Sequence, residues 1–192
     1  MEKSVTTTYI EMTHPGHFNP HPDFETKIQV KEINNDPFIN FMLFAGVGLP
    51  YRWSSRFRFS IDKWNSYFLE NDLRTFIGFH ENRMIGFFEL IVDGDNTEII
   101  FFGMFPEHTG KGLGSCFLSH AIRQSWQTGA KRIWLHTCTN DNKYALPNYL
   151  ARGFRIFDQK TAIENVPDHS ELIRLVSEFF RGYLDRYSTR AE

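Results

Sequence analysis

The stretch of this chain best suited to chemistry is a glycine-rich turn between a strand-like run and a helix-like run. It reads Thr109-Gly110-Lys111-Gly112-Leu113-Gly114-Ser115. Glycines at alternate positions leave the backbone bare, so successive N–H groups can converge on a ligand. At the start of a helix these groups act together with the helix dipole and favour a bound phosphate. We therefore predict an anion site at this turn.

Two common phosphate-binding patterns fit the turn badly. A Walker A loop has Ser or Thr directly after its lysine, but Gly112 follows Lys111. A dinucleotide fingerprint has a third glycine or alanine where Ser115 stands, and an acidic residue about 20 positions later. No Asp or Glu lies between Glu107 and Asp141. The pattern therefore argues against a P-loop NTPase and weakens the case for a dinucleotide-binding module.

The turn resembles the cofactor motif of the GNAT acetyltransferases, Gln/Arg-x-x-Gly-x-Gly/Ala, which also follows a strand and opens a helix. Thr109 stands where that family has Gln or Arg, which removes a side chain but keeps the backbone amides. A second block, from Asn142 to Phe154, resembles the family's Asn-x-x-Ala-x-x-x-Tyr-x-x-x-Gly-Phe segment. Two motifs in this order make residues 76–157 similar to the GNAT core.

This resemblance implies an acetyl-CoA-dependent N-acetyltransferase without a metal. An amine of a small molecule or peptide would attack the thioester directly in a ternary complex, and Tyr149 matches the tyrosine that protonates the departing sulfur. A strand amide can serve as an oxyanion donor. The implied cofactor contacts are Phe102, Gly103, Met104, Thr109, Gly110, Lys111, Gly112, Leu113, Gly114, Ser115, Asn142 and Tyr149. A catalytically silent acyl-CoA-binding sensor or assembly protein is the alternative.

Three side chains are candidates for the base that removes the amine proton. Glu89 and Glu98 both lie in apolar runs. Because apolar surroundings raise the pKa of a carboxyl group, either can serve as a base near neutral pH. Each can equally be an ordinary outward-facing strand residue. His136 is the third candidate, or else a satisfied core histidine, and the sequence leaves these options and a water chain open.

Residues 51–59 lie where GNAT proteins place their acceptor-binding loop. The segment combines aromatic and arginine side chains, including Tyr51, Arg52, Trp53 and Arg56. Arginine binds carboxylate or phosphate through paired hydrogen bonds, so the segment can hold a small amine that bears such a group. A surface loop with solvated arginines is the alternative.

Composition narrows the classes of partner. The chain has 192 residues and a formal net charge of −2, whereas a general nucleic-acid binder is usually clearly basic. No apolar run is long enough to span a bilayer, and the N-terminus shows no apolar leader. Cys116 and Cys138 form neither a disulfide framework nor a zinc pattern. We expect a cytoplasmic protein without nucleic-acid, membrane or metal partners.

The pattern of apolar residues predicts the elements around the motifs. Residues 74–80, 84–92 and 98–104 form an antiparallel meander, and residues 112–128 form a helix. A strand at 132–137 then completes a βαβ unit with parallel pairing. Together with the resemblance, this predicts an α/β (α+β) GNAT fold: a mixed, mostly antiparallel sheet with a central βαβ unit flanked by helices.

We expect a single domain over residues 1–192. Residues 1–73 supply an N-terminal strand and substrate-side helices, and residues 74–160 form the cofactor-binding core. The strand at 6–12 is expected in an outer place of the sheet, because the short strand at 154–157 is the last candidate. Residues 167–188 carry an extra C-terminal amphipathic helix, whose apolar stripe must be covered by its own sheet or by a second copy in a homodimer.

Overall fold

The computed structural model describes residues 1–188 as one mixed sheet with helices on both faces. The strands are β1 (Glu2–Met12), β2 (Gln29–Ile33), β3 (Asp72–His80), β4 (Arg83–Asp93), β5 (Asn96–Met104), β6 (Arg132–Cys138) and β7 (Arg155–Asn165). The helices are α1 (Phe24–Lys27), α2 (Pro37–Gly48), α3 (Ile61–Glu70), α4 (Leu113–Gln127), α5 (Ala145–Ala151) and α6 (His169–Ser188). Within this described part, no helix combines the length and apolarity that a membrane span requires.

The sheet confirms the predicted fold class. Its strand order is β2-β3-β4-β5-β6-β1-β7, and every neighbouring pair is antiparallel except β5 with β6. Strands β3 to β5 form the predicted meander. The unit β5-α4-β6 is the predicted βαβ crossover, and it lies in the middle of the sheet.

The N-terminal strand differs from its expected place. It lies one strand in from the edge, because β7 runs over Arg155–Asn165 rather than ending at residue 157 and pairs with β1 along most of its length. Most β7 side chains are exposed, so the strand lacks the apolar alternation that marks a half-buried strand in a sequence. Backbone hydrogen bonds to β1 therefore form this edge strand of the sheet, although its sequence shows no apolar pattern.

Two apolar cores pack against opposite faces of the sheet. One core joins α4 and α5 to the sheet around Phe88, Phe117 and Tyr149. The other joins α2, α3 and α6, where Phe41 stacks on Phe179 with ring centroids 3.7 Å apart. Helix α6 therefore packs on α2 of its own chain, where its rings contact Phe38 and Phe41; the expected cover was the sheet or a second copy.

Side-chain caps fix the starts of helices α2 and α3. Asp36 accepts hydrogen bonds from the backbone N–H groups of Phe38 and Ile39 at the start of α2. Ser60, a residue type favoured at helix N-caps, accepts one from the N–H of Lys63 at the start of α3. The cap at Ser60 fixes where the connection between α2 and α3, which carries the segment 51–59, re-enters regular structure.

We predict that Gly78→Ala destabilises the fold. A Cβ at Gly78 would overlap the ring of Phe117, which is fully buried in the α4 core. Overpacking of this kind costs about 1–3 kcal/mol, to be measured by urea unfolding followed by circular dichroism. Gly182→Ala is the control, because a Cβ at that position in α6 meets nothing within 4 Å. It should unfold at the same or a higher urea concentration; equal midpoints for the two variants would contradict the packing argument.

Candidate active site

The site begins where the parallel strands β5 and β6 part. They pair only through residues 96–98 of β5 and 132–134 of β6, although both strands continue. Strand β5 also bulges, since Ile99 pairs with Leu90 but Phe101 pairs with the preceding residue of β4. Beyond this point the backbone groups that β5 directs towards β6 have no strand partner.

The alternation of β5 identifies those free groups. Phe105 donates its N–H to the carbonyl of Ile85, on the β4 side. Neighbouring residues of a strand direct their backbone groups to opposite sides. Met104 and Phe102 therefore direct theirs into the gap, which places a potential oxyanion donor and partners for an amide-containing ligand along one wall.

A cavity of about 580 Å³ fills this gap and receives most of the predicted site residues. Those that line it are Tyr51, Trp53, Phe102, Gly103, Met104, Thr109, Gly110, Gly114, Asn142 and Tyr149. Other predicted residues lie outside the lining: Arg52, Arg56, Glu89, Glu98, Lys111, Gly112, Leu113 and Ser115. The last four belong to the glycine-rich turn and the first turn of α4.

The cavity passes through the sheet. Met104 and Tyr149 belong to the core on the α4 face, and Phe102 packs against it. Val47 belongs to the core on the α2 face, and Trp53 and Phe101 pack against it. All of them border the same cavity. A ligand that enters from the α4 face can therefore meet a second ligand that enters from the α2 face.

The glycine-rich turn on the α4 face is open and lacks a cap. Gly110 and Gly112 have φ angles of 73° and 75°, the left-handed region that glycine adopts without strain. Gly112 is the N-cap of α4 and supplies no side chain, so the first N–H groups of that helix receive no side-chain cap. The hydroxyl of Thr109 donates a hydrogen bond to the carbonyl of Pro106 at 2.8 Å, within the segment that leads from β5 into the turn.

Tyr149 lies deep in the same face. Its side chain is buried, with its ring 6.2 Å from the ring of Phe102. Burial raises the pKa of the Tyr149 phenol, and the carboxylate of Asp141 raises it further. The phenol therefore stays protonated at neutral pH and is available as a proton donor. Asn148, one residue before, donates to the carbonyl of Gly114 at 3.3 Å and ties α5 to the start of α4.

Glu98 and His136 meet at the point where the strands separate. The Nδ1 atom of His136 lies 3.5 Å from Oε1 of Glu98. His136 is half-exposed and lines the cavity, whereas the carboxylate of Glu98 is largely covered. Phe101 packs on the α2 face, and the register of β5 puts Glu98 on that face too. The pair lies across the sheet from Tyr149.

Glu89 lies outside the cavity in a fully buried polar network. Its carboxylate is 0% exposed and forms an ion pair with Arg56. It also accepts a hydrogen bond from the side-chain amide of Asn40 at 2.8 Å. Arg56 in turn donates to the hydroxyl of Tyr67 at 3.0 Å and stacks on Phe101, 4.4 Å from the ring centroid. Neither Glu89 nor Arg56 reaches the solvent of the cavity.

Asp141 is a cavity residue that the sequence reasoning missed. Its carboxylate accepts hydrogen bonds from the hydroxyl of Thr137 at 2.8 Å, the N–H of Cys138 at 2.9 Å and the indole N–H of Trp53 at 3.2 Å. Beside it, Asn142 donates its side-chain amide to the hydroxyl of Tyr51 at 3.2 Å. The one available signal was its place as the first acidic residue after a long acid-free stretch.

Within residues 1–188 the sheet is open, mostly antiparallel and divided at its parallel pair, with a glycine-rich helix start beside the gap. This arrangement defines the GNAT class of acetyltransferase folds. The profile of the Acetyltransferase (GNAT) family matches residues 29–154. The chain belongs to that family.

Similar proteins agree with this assignment. YxbD, an uncharacterized protein of Bacillus subtilis strain 168, is 32% identical over 98 residues, which cover 51% of this chain and 55% of YxbD. The chain thus spans just over half the length of that relative. A GCN5-related N-acetyltransferase from Kribbella flavida aligns with a TM-score of 0.58 at 15% identity, over 85% of this chain and 59% of its own.

A further similar structure is an aminoglycoside acetyltransferase from an uncultured soil metagenomic sample. It aligns with a TM-score of 0.50 at 15% identity, over 67% of this chain and 89% of its own. At such low identity these structures support the fold alone.

We predict that Glu89→Gln destabilises the protein strongly. The substitution leaves the guanidinium of Arg56 buried without its counter-charge, which costs about 3–5 kcal/mol. Glu32→Gln is the matched control, because Glu32 pairs with Arg74 at 2.6 Å in a partly exposed position. Loss of that pair should cost less than about 1 kcal/mol. Urea unfolding of both variants measures the difference, and a stable Glu89→Gln protein would show that the network is not structural.

Proposed function

We propose that the protein is an acetyl-CoA-dependent N-acetyltransferase that acetylates a primary amine of a small molecule or peptide. The observation that carries this proposal is the cavity through the sheet. Its α4 face has an uncapped glycine-rich helix start and a buried phenol, and its α2 face has a histidine–carboxylate pair. Two substrates can therefore meet between opposed acid and base groups, as direct attack in a ternary complex requires.

The α4 face fits acetyl-CoA. A Cβ at Gly110 or Gly112 would meet nothing within 4 Å, so the surface that these glycines leave bare is open to a ligand. We assign the cofactor pyrophosphate to the amides of this turn, from Gly110 to Ser115, where Leu113 contributes only its backbone because its side chain is buried. Lys111 is exposed beside them and adds positive charge. Acetyl-CoA would supply a thioester carbonyl and a thiol leaving group.

The gap between the strands fits the pantetheine arm. The free backbone groups of Phe102 and Met104 can pair with its amides, and the N–H of one of these two residues can stabilise charge on the thioester oxygen. Gly103 lets Val47 pack directly against this wall. Asn142, at the other side of the gap, offers its side-chain oxygen and nitrogen where the arm would pass.

The α2 face supplies proton removal in this proposal. The acceptor enters as an ammonium and must lose a proton before its nitrogen can attack. We assign that proton to His136, directly or through one water, with Glu98 holding the ring through Nδ1. Glu89 is left out of the reaction, because its carboxylate is enclosed by Arg56 and Asn40.

Tyr149 supplies the second proton transfer. As the new C–N bond forms and the C–S bond breaks, its phenol donates a proton to the departing sulfur. The raised pKa of Tyr149 keeps this donor protonated at neutral pH, and it also makes the phenol a weaker acid, because an acid gives up its proton less readily as its pKa rises. After the attack the nitrogen still carries a second proton, which it loses as the tetrahedral intermediate collapses. That proton restores the Tyr149 phenol through solvent, and His136 releases the first proton to bulk water, so one proton is released in each turnover and the chain returns to its starting state.

A direct test of the cofactor site compares two glycine variants by calorimetric titration with CoA. Gly112→Ala places a Cβ where the pyrophosphate would lie and should weaken CoA binding by about tenfold or more, which corresponds to about 1.4 kcal/mol. Gly94→Ala is the control, because Gly94 also has a positive φ, of 55°, and open surroundings but lies in the β4–β5 turn. Equal CoA affinity for both variants would remove the turn from the site.

The catalytic assignment is tested by thiol release from acetyl-CoA with a panel of amines. Tyr149→Phe should lower kcat by about 100-fold or more, the range of general acid catalysis, while CoA affinity stays within about threefold of wild type. Tyr183→Phe is the control, because it makes the same change in α6, outside the cavity, and should leave kcat unchanged. CoA binding by wild type without any thiol release would instead support the silent acyl-CoA-binding protein.

The raised pKa of Tyr149 also predicts the alkaline side of the rate profile. An acid must be protonated to act, so activity is lost only as pH rises through its pKa. An ordinary tyrosine titrates near pH 10. With the pKa of Tyr149 raised by burial, kcat at saturating substrates should show no decline up to about pH 10. A decline centred below that pH, after subtraction of protein-free thioester hydrolysis, would assign the acid to another group.

A further inference from the structure

The arginines of segment 51–59 are all held away from the cavity. Arg52 donates to the carbonyl of Pro167 at 3.2 Å, and Arg56 is buried against Glu89. Arg58 forms an ion pair with Glu171 at 2.7 Å on the outer surface. The segment therefore offers no guanidinium to a carboxylate or phosphate on the acceptor.

The charges that do line the cavity are negative. Among the described residues its walls include the carboxylates of Asp141 and Glu164 but no lysine or arginine. The negative charge also acts on Cys138, which lines the same cavity. Burial raises the pKa of its thiol, and the carboxylate of Asp141 raises that pKa further. An anionic group on the acceptor would meet this field without a compensating cation, whereas an ammonium would be attracted.

The remaining wall of the α2 face is aromatic. The ring of Trp53 lies 5.0 Å from that of Phe101, and its indole N–H is fixed on Asp141 at 3.2 Å. Tyr51 adjoins them and is held by the amide of Asn142 at 3.2 Å. Rings fixed in this way present flat apolar faces, which bind an apolar body by burial and a cation through the ring quadrupole.

We propose that the acceptor is a primary amine on an apolar or aromatic body that bears no carboxylate or phosphate. Its body packs between Tyr51, Trp53 and Phe101, and Asp141 draws in the ammonium. This inference rests on the proposed acetyltransferase function and names its substrate class. It replaces the expectation that arginines of the segment bind an acidic group on the acceptor.

The test uses three acceptors, and each kcat/KM is calculated for the neutral amine, because a neighbouring carboxylate or amide shifts the pKa of the amine. Phenylalaninamide and phenylalanine have nearly the same size, but only phenylalanine carries a carboxylate; ethanolamine lacks the aromatic body. We expect kcat/KM from thiol release to be about tenfold or more higher for phenylalaninamide than for either of the others. Phenylalanine accepted as well as phenylalaninamide would overturn the charge argument, and ethanolamine accepted as well would overturn the aromatic one.

Charge reversal in the cavity provides the matching variant. Glu164 is exposed at the end of β7, so Glu164→Lys should fold, and it should raise kcat/KM for phenylalanine relative to phenylalaninamide by about threefold or more. Glu70→Lys makes the same charge change at the exposed end of α3, outside the cavity, and should leave the ratio unchanged. An unchanged ratio in Glu164→Lys overturns the role assigned to cavity charge.

Binding separates this inference from the proposed function. Calorimetric titration of each acceptor into the CoA-saturated protein should show binding of phenylalaninamide and none of phenylalanine, whether or not turnover occurs. Binding of phenylalaninamide but not of phenylalanine, without thiol release, would contradict the proposed acetyltransferase activity but support the proposed class of acceptor. Turnover of phenylalanine alone would support the enzyme and contradict the inference, and failure of all three to bind or react would overturn it.

Discussion

The early separation of β5 from β6 is the constraint on which the rest of the site depends. A parallel pair normally continues its ladder until one strand ends, and a gap inside a sheet leaves backbone donors and acceptors without partners. Here both strands run on past residues 98 and 134 without pairing. The unpaired groups of Phe102 and Met104 must be satisfied by water or by a ligand, which is what makes the gap a candidate binding site.

Packing on the α2 face supports the β5 wall of the gap. On the α2 face, Val47 packs so close to Gly103 that any Cβ there would overlap it, which makes glycine necessary at that position of β5. Phe101 beside it rests on the guanidinium of Arg56, and the buried Arg56–Glu89 pair anchors that support to β4. The polar network thus supports Phe101 in the aromatic wall of the cavity, although neither Arg56 nor Glu89 lines the cavity itself.

Sequence reasoning succeeded where the controlling feature is local. The meander, the βαβ unit and the uncapped helix start follow from periodicity and from glycines a few residues apart. It could not place Arg56 or Asp141, because their surroundings are set by contacts with residues far along the chain: Arg56 with Glu89, and Asp141 with Trp53. The length of β7 was underestimated for a related reason, since the strand is held by pairing with β1 and its own sequence shows no apolar pattern.

The three donors on Asp141 bear on how an amine can be both attracted and deprotonated. An alkylamine resembles lysine, with a pKa near 10.4, so its deprotonation at neutral pH already costs about 4–5 kcal/mol. A bare carboxylate in direct contact with the ammonium would raise that cost. Because Thr137, Cys138 and Trp53 already occupy most of the acceptor positions of Asp141, its charge can draw the ammonium towards the cavity without a tight ion pair. The proton is then free to leave towards His136.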